Sequence, residues 1–176
     1  KSEAYRIKQK CISYLKNIGL EVRNNKVVGE EYRIRYLIAL LCYKYGFACV
    51  DFDDESKKIA REFILSTNQI ISEEFLAITE SEYGFFECLL IQSWKRKQYT
   101  PFYKSPELIN QYVSTNHSLK ELFIYPKIVE HVHHYLEPRL DLKFSELEYE
   151  YFYLLSINNM SELEIIVLDY RVLAFL

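Results

Sequence analysis

Glycine and proline are scarce, with four of each in 176 residues. That shortage excludes a many-stranded sheet with its turn-rich connections and leaves long helices as the main element. Cys11, Cys42, Cys49 and Cys88 form no CxxC pair and no dense framework. This excludes a zinc ribbon or a disulfide scaffold and reads as buried, reduced thiols of a cytosolic protein. No apolar run approaches the ~20 residues that cross a bilayer, and no signal-peptide pattern is present, so no membrane partner is expected. The single methionine is Met160, not the first residue, and the chain reads as a piece of a longer protein. A Gly-rich phosphate loop, a nucleophile elbow and an HExxH pair are all missing, so nothing points to an enzyme or a bound cofactor.

What is abundant is aromatic: 16 tyrosines and 11 phenylalanines, which supply large buried areas to a helical core. The net charge of −3 hides an asymmetry. Residues 1–45 hold 10 Lys+Arg against 4 Asp+Glu, and the remainder holds 12 against 21. A basic N-terminal end suits phosphate contact, and the acidic bulk does not.

Ile7, Cys11, Tyr14, Leu15 and Ile18 recur at helical spacing and predict an amphipathic helix over Ser2–Asn17, stopped at Gly19. Leu20–Val22 and Lys26–Val28 alternate around Asn24-Asn25, a pair that tolerates positive φ, and predict a hairpin. A second helix runs over Glu30–Tyr45. Beyond the loop Phe47–Asp53, a helix over Asp54–Glu74 carries Ile59, Phe63, Ile70 and Ile71 on one face. Thr79–Glu82, Ser118–Glu121, Ser145–Glu148 and Ser161–Glu164 are capping-box patterns. They open a helix ending near Lys97 and others over 118–125, 127–137, 145–158 and 162–175, with a short one behind Pro106. The fold class is mainly α: a helical bundle with a small N-terminal β-hairpin.

A helix running into a β-wing is how a winged helix-turn-helix module ends. Gly29, Glu31, Ile34 and Arg35 fit a G-x-E-x-x-I-R junction directly behind it. This layout resembles the Mga family, M-protein trans-acting positive regulators of Gram-positive bacteria and relatives of regulators with PTS regulation domains (PRDs). Ser2–Arg6 resembles the start of the recognition helix, and Phe144–Tyr149 with the run to Ile157 resembles a late PRD helix. The resemblance divides the chain into a module end over 1–29 and a PRD-like regulatory domain over 30–176. It implies the regulatory and dimerising region of a virulence-type transcriptional activator, cytoplasmic and homodimeric, with DNA bound through helix-turn-helix modules. It also implies phosphotransferase-system proteins as partners. Phe85–Arg96 resembles a helix that carries a phosphorylatable histidine in such regulators, yet this one has none.

The candidate DNA contacts carried over from the resemblance are Tyr5, Arg6, Lys8 and Lys10 on the presumed recognition helix. Gly29, Glu31 and Arg35 are junction residues, and Arg35 is expected to pair with an acidic group and fix the domain against the wing. His131, His133 and His134 are candidates for phosphorylation or regulation, with His131 and His134 on a shared helical face. A single Glu-x-x-His, Glu130–His133, is one arm of a di-iron site and lacks its second copy, so no metal is expected. The competing readings are a small-molecule-binding helical sensor that uses the aromatic core as a pocket, an enzyme, and a pure oligomerisation scaffold.

Overall fold

The computed structural model describes residues 2–71, 80–101 and 119–157. Helix α1, Glu3–Asn17, leads into strands β1, Leu20–Arg23, and β2, Lys26–Gly29. Then come α2, Glu31–Tyr45, α3, Asp54–Ile71, and α4, Glu80–Lys95. Helix α5, Leu119–His131, passes into a π-helical turn, Val132–Leu136, and then the short α6, Glu137–Leu140; α7 is Glu146–Ile157. The protein is mainly α, with one antiparallel hairpin in the register Leu20↔Gly29 to Arg23↔Lys26.

Local chemistry explains each boundary. Ser2 caps α1 through its side chain, which accepts the Tyr5 N–H, and Glu3 sits where the helix dipole favours an anion. Gly19, at φ 75°, ends it. Asn24 and Asn25 adopt φ 50° and 60°, the left-handed pair that a two-residue hairpin turn needs. Helix α2 has no side-chain cap, and its Tyr32 N–H is instead satisfied by the Pro101 carbonyl at 3.0 Å.

Helix α4 is apolar on most sides and lies at the centre, packed on α2 and α3, while α7 packs on α5 and closes over α3. Phe63, Ile64, Leu89, Leu90, Ile128, Leu136, Phe152 and Leu155 are buried in one continuous core. Each such side chain contributes about 1.5–3 kcal/mol by leaving water. Ile59 and Phe63 face inward as the periodicity requires, and Ile70 is half-buried.

Several expectations are corrected. Pro126 does not separate two helices; α5 runs through it, because Ile128, Val132 and Leu136 stay on one buried stripe that holds the chain on its path. The widened turn comes later, at Val132–Leu136, and it turns His131 and His134 to different surroundings. In the Ser145–Glu148 box, Ser145 caps the Glu148 N–H at 3.4 Å, but the Glu148 side chain is drawn away to Arg35. The thiols are free as expected, although Cys11 and Cys49 are exposed, not buried. The helices expected behind Pro106 and over 162–175, and the Thr79, Ser118 and Ser161 caps, lie outside the described residues.

Candidate nucleic-acid interface and its junction

Helix α1 has no buried residue, although Tyr14 and Leu15 rest against the core and the following Ile18 is buried. Its last turn is therefore anchored, and its first half stands in solvent: Ile7 is 55% exposed and Tyr5 45%. The four expected contact residues do not form one stripe. Tyr5 and Lys8, three apart, share the side toward the wing, where Lys8 Nζ donates to Asn25 Oδ1 at the hairpin tip (3.2 Å). Arg6 and Lys10, four apart, lie on another side of the helix, and Arg6 forms an exposed pair with Glu3 at 3.6 Å. One groove cannot take all four side chains. The Tyr5–Lys8 side continues into the wing, where Arg23 and Lys26 add positive charge beside Asn25. Arg23 is braced by Glu21 at 2.7 Å.

The junction behind the wing is tight. Gly29, at φ 154°, has Leu20 Cδ2 only 2.6 Å from where a Cβ would stand, so any side chain there would force Leu20 to shift. Arg33 of α2 reaches back across the junction, and its Nη1 donates to the Ile18 carbonyl at 3.0 Å. The guanidinium also fills the space beside Gly19. Arg35, expected to pair with an acidic group and to fix the domain against the wing, does bond acidic groups, but it lies on the opposite, buried side of α2, and Arg33 is the residue that reaches the turn between α1 and the wing.

Arg35 is fully buried. Its Nη2 and Nη1 donate to the two Glu148 oxygens at 2.7 and 3.0 Å, its Nε to Glu31 at 3.2 Å, and its Nη2 also to the Tyr99 carbonyl at 3.1 Å. Arg96, just past the end of α4, grips the same Glu31 with two bonds of 2.6 and 2.9 Å. Two cations and two anions thus balance, and they tie α2 to α7 and to the turn behind α4. Burial disfavours the Arg35 cation, but the bonded Glu148 outweighs it and its pKa rises. Burial raises the Glu148 carboxyl, opposed by the same guanidinium. Both Glu148 oxygens accept from the guanidinium, the two-pronged geometry of an arginine–carboxylate pair.

The three histidines part company. His131 stacks on Phe63 (ring centroids 4.9 Å apart), and its Nε2 meets Ser66 Oγ at 2.7 Å; burial pushes its pKa down. His134 points into solvent, 3.9 Å from Glu130. His133 alone is oriented by a buried carboxylate, its Nδ1 2.8 Å from Glu137 Oε2. Glu137 also accepts from Lys143 Nζ (2.7 Å), the Phe144 N–H (2.9 Å) and the Tyr149 hydroxyl (2.7 Å). Burial would raise this carboxyl, but its four donors hold it down at about 2. His133, His134, Lys143, Tyr125, Val129 and Glu130 line an open cleft of about 770 Å³. Sequence reasoning missed Glu137, Lys143 and Tyr149; the only signal was an acidic residue four positions after His133. Among the described residues, no group of three His, Cys, Asp or Glu side chains is placed to hold a metal.

The exposed basic helix, the hairpin and the Arg33 clamp behind them form one contiguous unit. Residues 1–42 match the family model of the Mga helix-turn-helix domain. That match is consistent with a fragment of a Mga-family regulator, and so with a DNA-binding transcriptional regulator. It runs past the wing to Cys42, inside α2. No curated protein and no solved structure matched the chain. No helix among the described residues is long and apolar enough to cross a membrane.

Proposed function

We propose that this chain is the regulatory and dimerising region of a cytoplasmic, non-enzymatic activator of the Mga type, divided at about residue 29 into a module end and a PRD-like bundle. It passes a metabolic or partner signal to the DNA-binding modules. The observation that carries this reading is the Arg33 bond to Ile18, which makes α2 the connection between the recognition helix and the bundle. On its other side the same helix is bound through Glu31 to Arg96, in the turn behind α4, and through Arg35 to α7. A change in bundle packing therefore acts on α2 and, through Arg33, on the angle of α1. Half-sites on DNA lie about one helical turn apart, so a small rotation in a dimer decides whether both recognition helices fit.

His133 is the strongest of the three candidate histidines for a phosphotransferase partner. A carboxylate on Nδ1 leaves Nε2 as the basic nitrogen, and the ring borders an open cleft.

Sedimentation equilibrium across a concentration series tests the dimer, and a strict monomer would overturn the dimerising role. Hydrogen exchange tests the coupling. Arg33→Ala and Glu148→Gln should both speed amide exchange in the last turn of α1, the second from the far side of α2. Unchanged exchange in α1 would overturn the transmission.

The cleft beside His133 favours a second reading, a small-molecule sensor. A thermal-shift screen with sugars, phosphosugars and metals separates the two, since a ligand bound to the folded state raises its stability.

A further inference from the structure

The cleft beside His133 has the chemistry to select one class of ligand. It runs along the second half of α5 and the π-helical turn, and Lys143, just ahead of α7, borders it. Its volume of about 770 Å³ is that of a small-molecule pocket. A π-helical turn is rare and often marks a functional position, and this one carries both His133 and His134 on the cleft wall.

Two of the polar lining groups are held from behind. The Glu137 carboxylate, only 1% exposed, accepts from His133 Nδ1 at 2.8 Å and from Lys143 Nζ at 2.7 Å. The neutral His133 ring is thereby fixed with Nε2 as an acceptor, and the exposed Lys143 ammonium keeps further N–H donors for the cleft. The exposed Glu130 carboxylate adds acceptors, with His134 Nε2 3.9 Å away. Tyr125, Pro126 and Val129 form an apolar wall, and the Tyr125 ring is set edge-on against Tyr153, with centroids 5.3 Å apart.

The charges decide among ligand classes. With the imidazoles neutral, the Lys143 cation is already met by Glu137, and Glu130 is a second carboxylate at the rim, so an anion finds no surplus positive charge. A cationic ligand would face the Lys143 ammonium. A wholly apolar ligand would cover four polar residues without pairing any of them. Hydroxyl groups suit the set, because each both donates and accepts and so pairs with a carboxylate, an ammonium or an imidazole alike. The C–H face of a sugar ring would pack on Tyr125.

We propose that this cleft is a binding site for a neutral polyol of monosaccharide size, held by Glu130, His133 and Lys143 against Tyr125. The proposal rests on the small-molecule sensor reading above and names its ligand class. Glu137 also accepts from the Tyr149 hydroxyl at 2.7 Å, and the residue before Tyr149 is Glu148, the counterion of Arg35. The site therefore adjoins the ion pair that ties α7 to α2.

The test follows the histidine ring C–H signals by NMR while D-glucose, D-galactose, D-mannose or myo-inositol is added, with inorganic phosphate and tetramethylammonium as charged probes. At least one neutral polyol should shift His133 and His134 saturably and leave His131, which is stacked on Phe63, in place. Neither charged probe should do so. Glu130→Ala and Lys143→Ala, both at exposed side chains, should each weaken that binding about tenfold with the helical circular dichroism unchanged. A saturable shift from phosphate or tetramethylammonium and none from the polyols would overturn the ligand class and leave the sensor reading standing. No shift from any probe would overturn both. A polyol that raises the melting temperature without moving His133, or that binds both variants as it binds the wild type, would overturn the site.

Discussion

Arg35 and Glu148 stand 113 residues apart in the chain and close a two-pronged ion pair in the interior, with bonds of 2.7 and 3.0 Å. Both residues are buried, so removing either partner strands an uncompensated charge. Arg35→Ala and Glu148→Ala should each lower the unfolding free energy by about 3–5 kcal/mol, read as a fall in urea midpoint. Arg35→Lys should recover little, because an ammonium cannot serve Glu148, Glu31 and the Tyr99 carbonyl together. A loss under about 1 kcal/mol for the alanine variants would show that the pair does not hold α2 to α7.

The Glu137 network predicts a pH dependence. The folded carboxyl titrates at about 2, below its ordinary 4.5. A depressed folded pKa stabilises the protein fully above about 4.5, and that stability is lost as pH falls toward 2. Asp53 acts in the same direction, held low by Lys95 and by the Ser56 N–H and hydroxyl. Glu137→Gln should therefore flatten, without abolishing, the rise in urea midpoint between pH 2 and 4.5. Parallel curves for the two proteins would show that the four donors do not hold the carboxylate.

The Gly29 junction allows a sharper steric test. An alanine there would place its Cβ 2.6 Å from Leu20 Cδ2, at φ 154°. Gly29→Ala should cost on the order of 1–3 kcal/mol. Trimming the neighbour, as Gly29→Ala with Leu20→Val, should restore part of the loss if the clash dominates. No recovery would assign the cost to backbone strain.

Nucleic-acid contact is testable through salt. Lys8 shares a side with the wing tip, whereas Arg6 and Lys10 do not. Lys8→Ala and Lys26→Ala should each weaken duplex binding and reduce the slope of log affinity against log salt by about one phosphate contact. Lys127→Ala, on α5, serves as the control with no change. Equal effects from all three would mean that binding is diffuse attraction and not a wing-side interface.

Much of this was legible in sequence because local rules govern it. The hairpin at Asn24-Asn25, the Ser2 cap, the stop at Gly19 and the start of α3 at Asp54 follow from φ preferences and orphan helix-end groups, which are properties of a few adjacent residues. The helical class followed from scarce glycine and proline. The Mga-like junction at Gly29, Glu31, Ile34 and Arg35 was readable because its residues fall within one short stretch of chain.

Tertiary structure decided what depends on distant partners. Glu148 reads as a capping residue, and only the approach of α7 to α2 makes it a counterion. Arg33 and Arg35 look interchangeable in a string, but a two-residue step on a helix turns one toward the Ile18 carbonyl and the other into the core. Pro126 reads as a break, while the buried stripe of Ile128, Val132 and Leu136 keeps the helix going. The three histidines read as one cluster, and the π-turn gives each a different neighbour: Ser66, Glu137 and solvent. Periodicity within an element is a local property of the chain, whereas the identity of a charge's partner is set by packing, and packing alone brings residues 35 and 148 together.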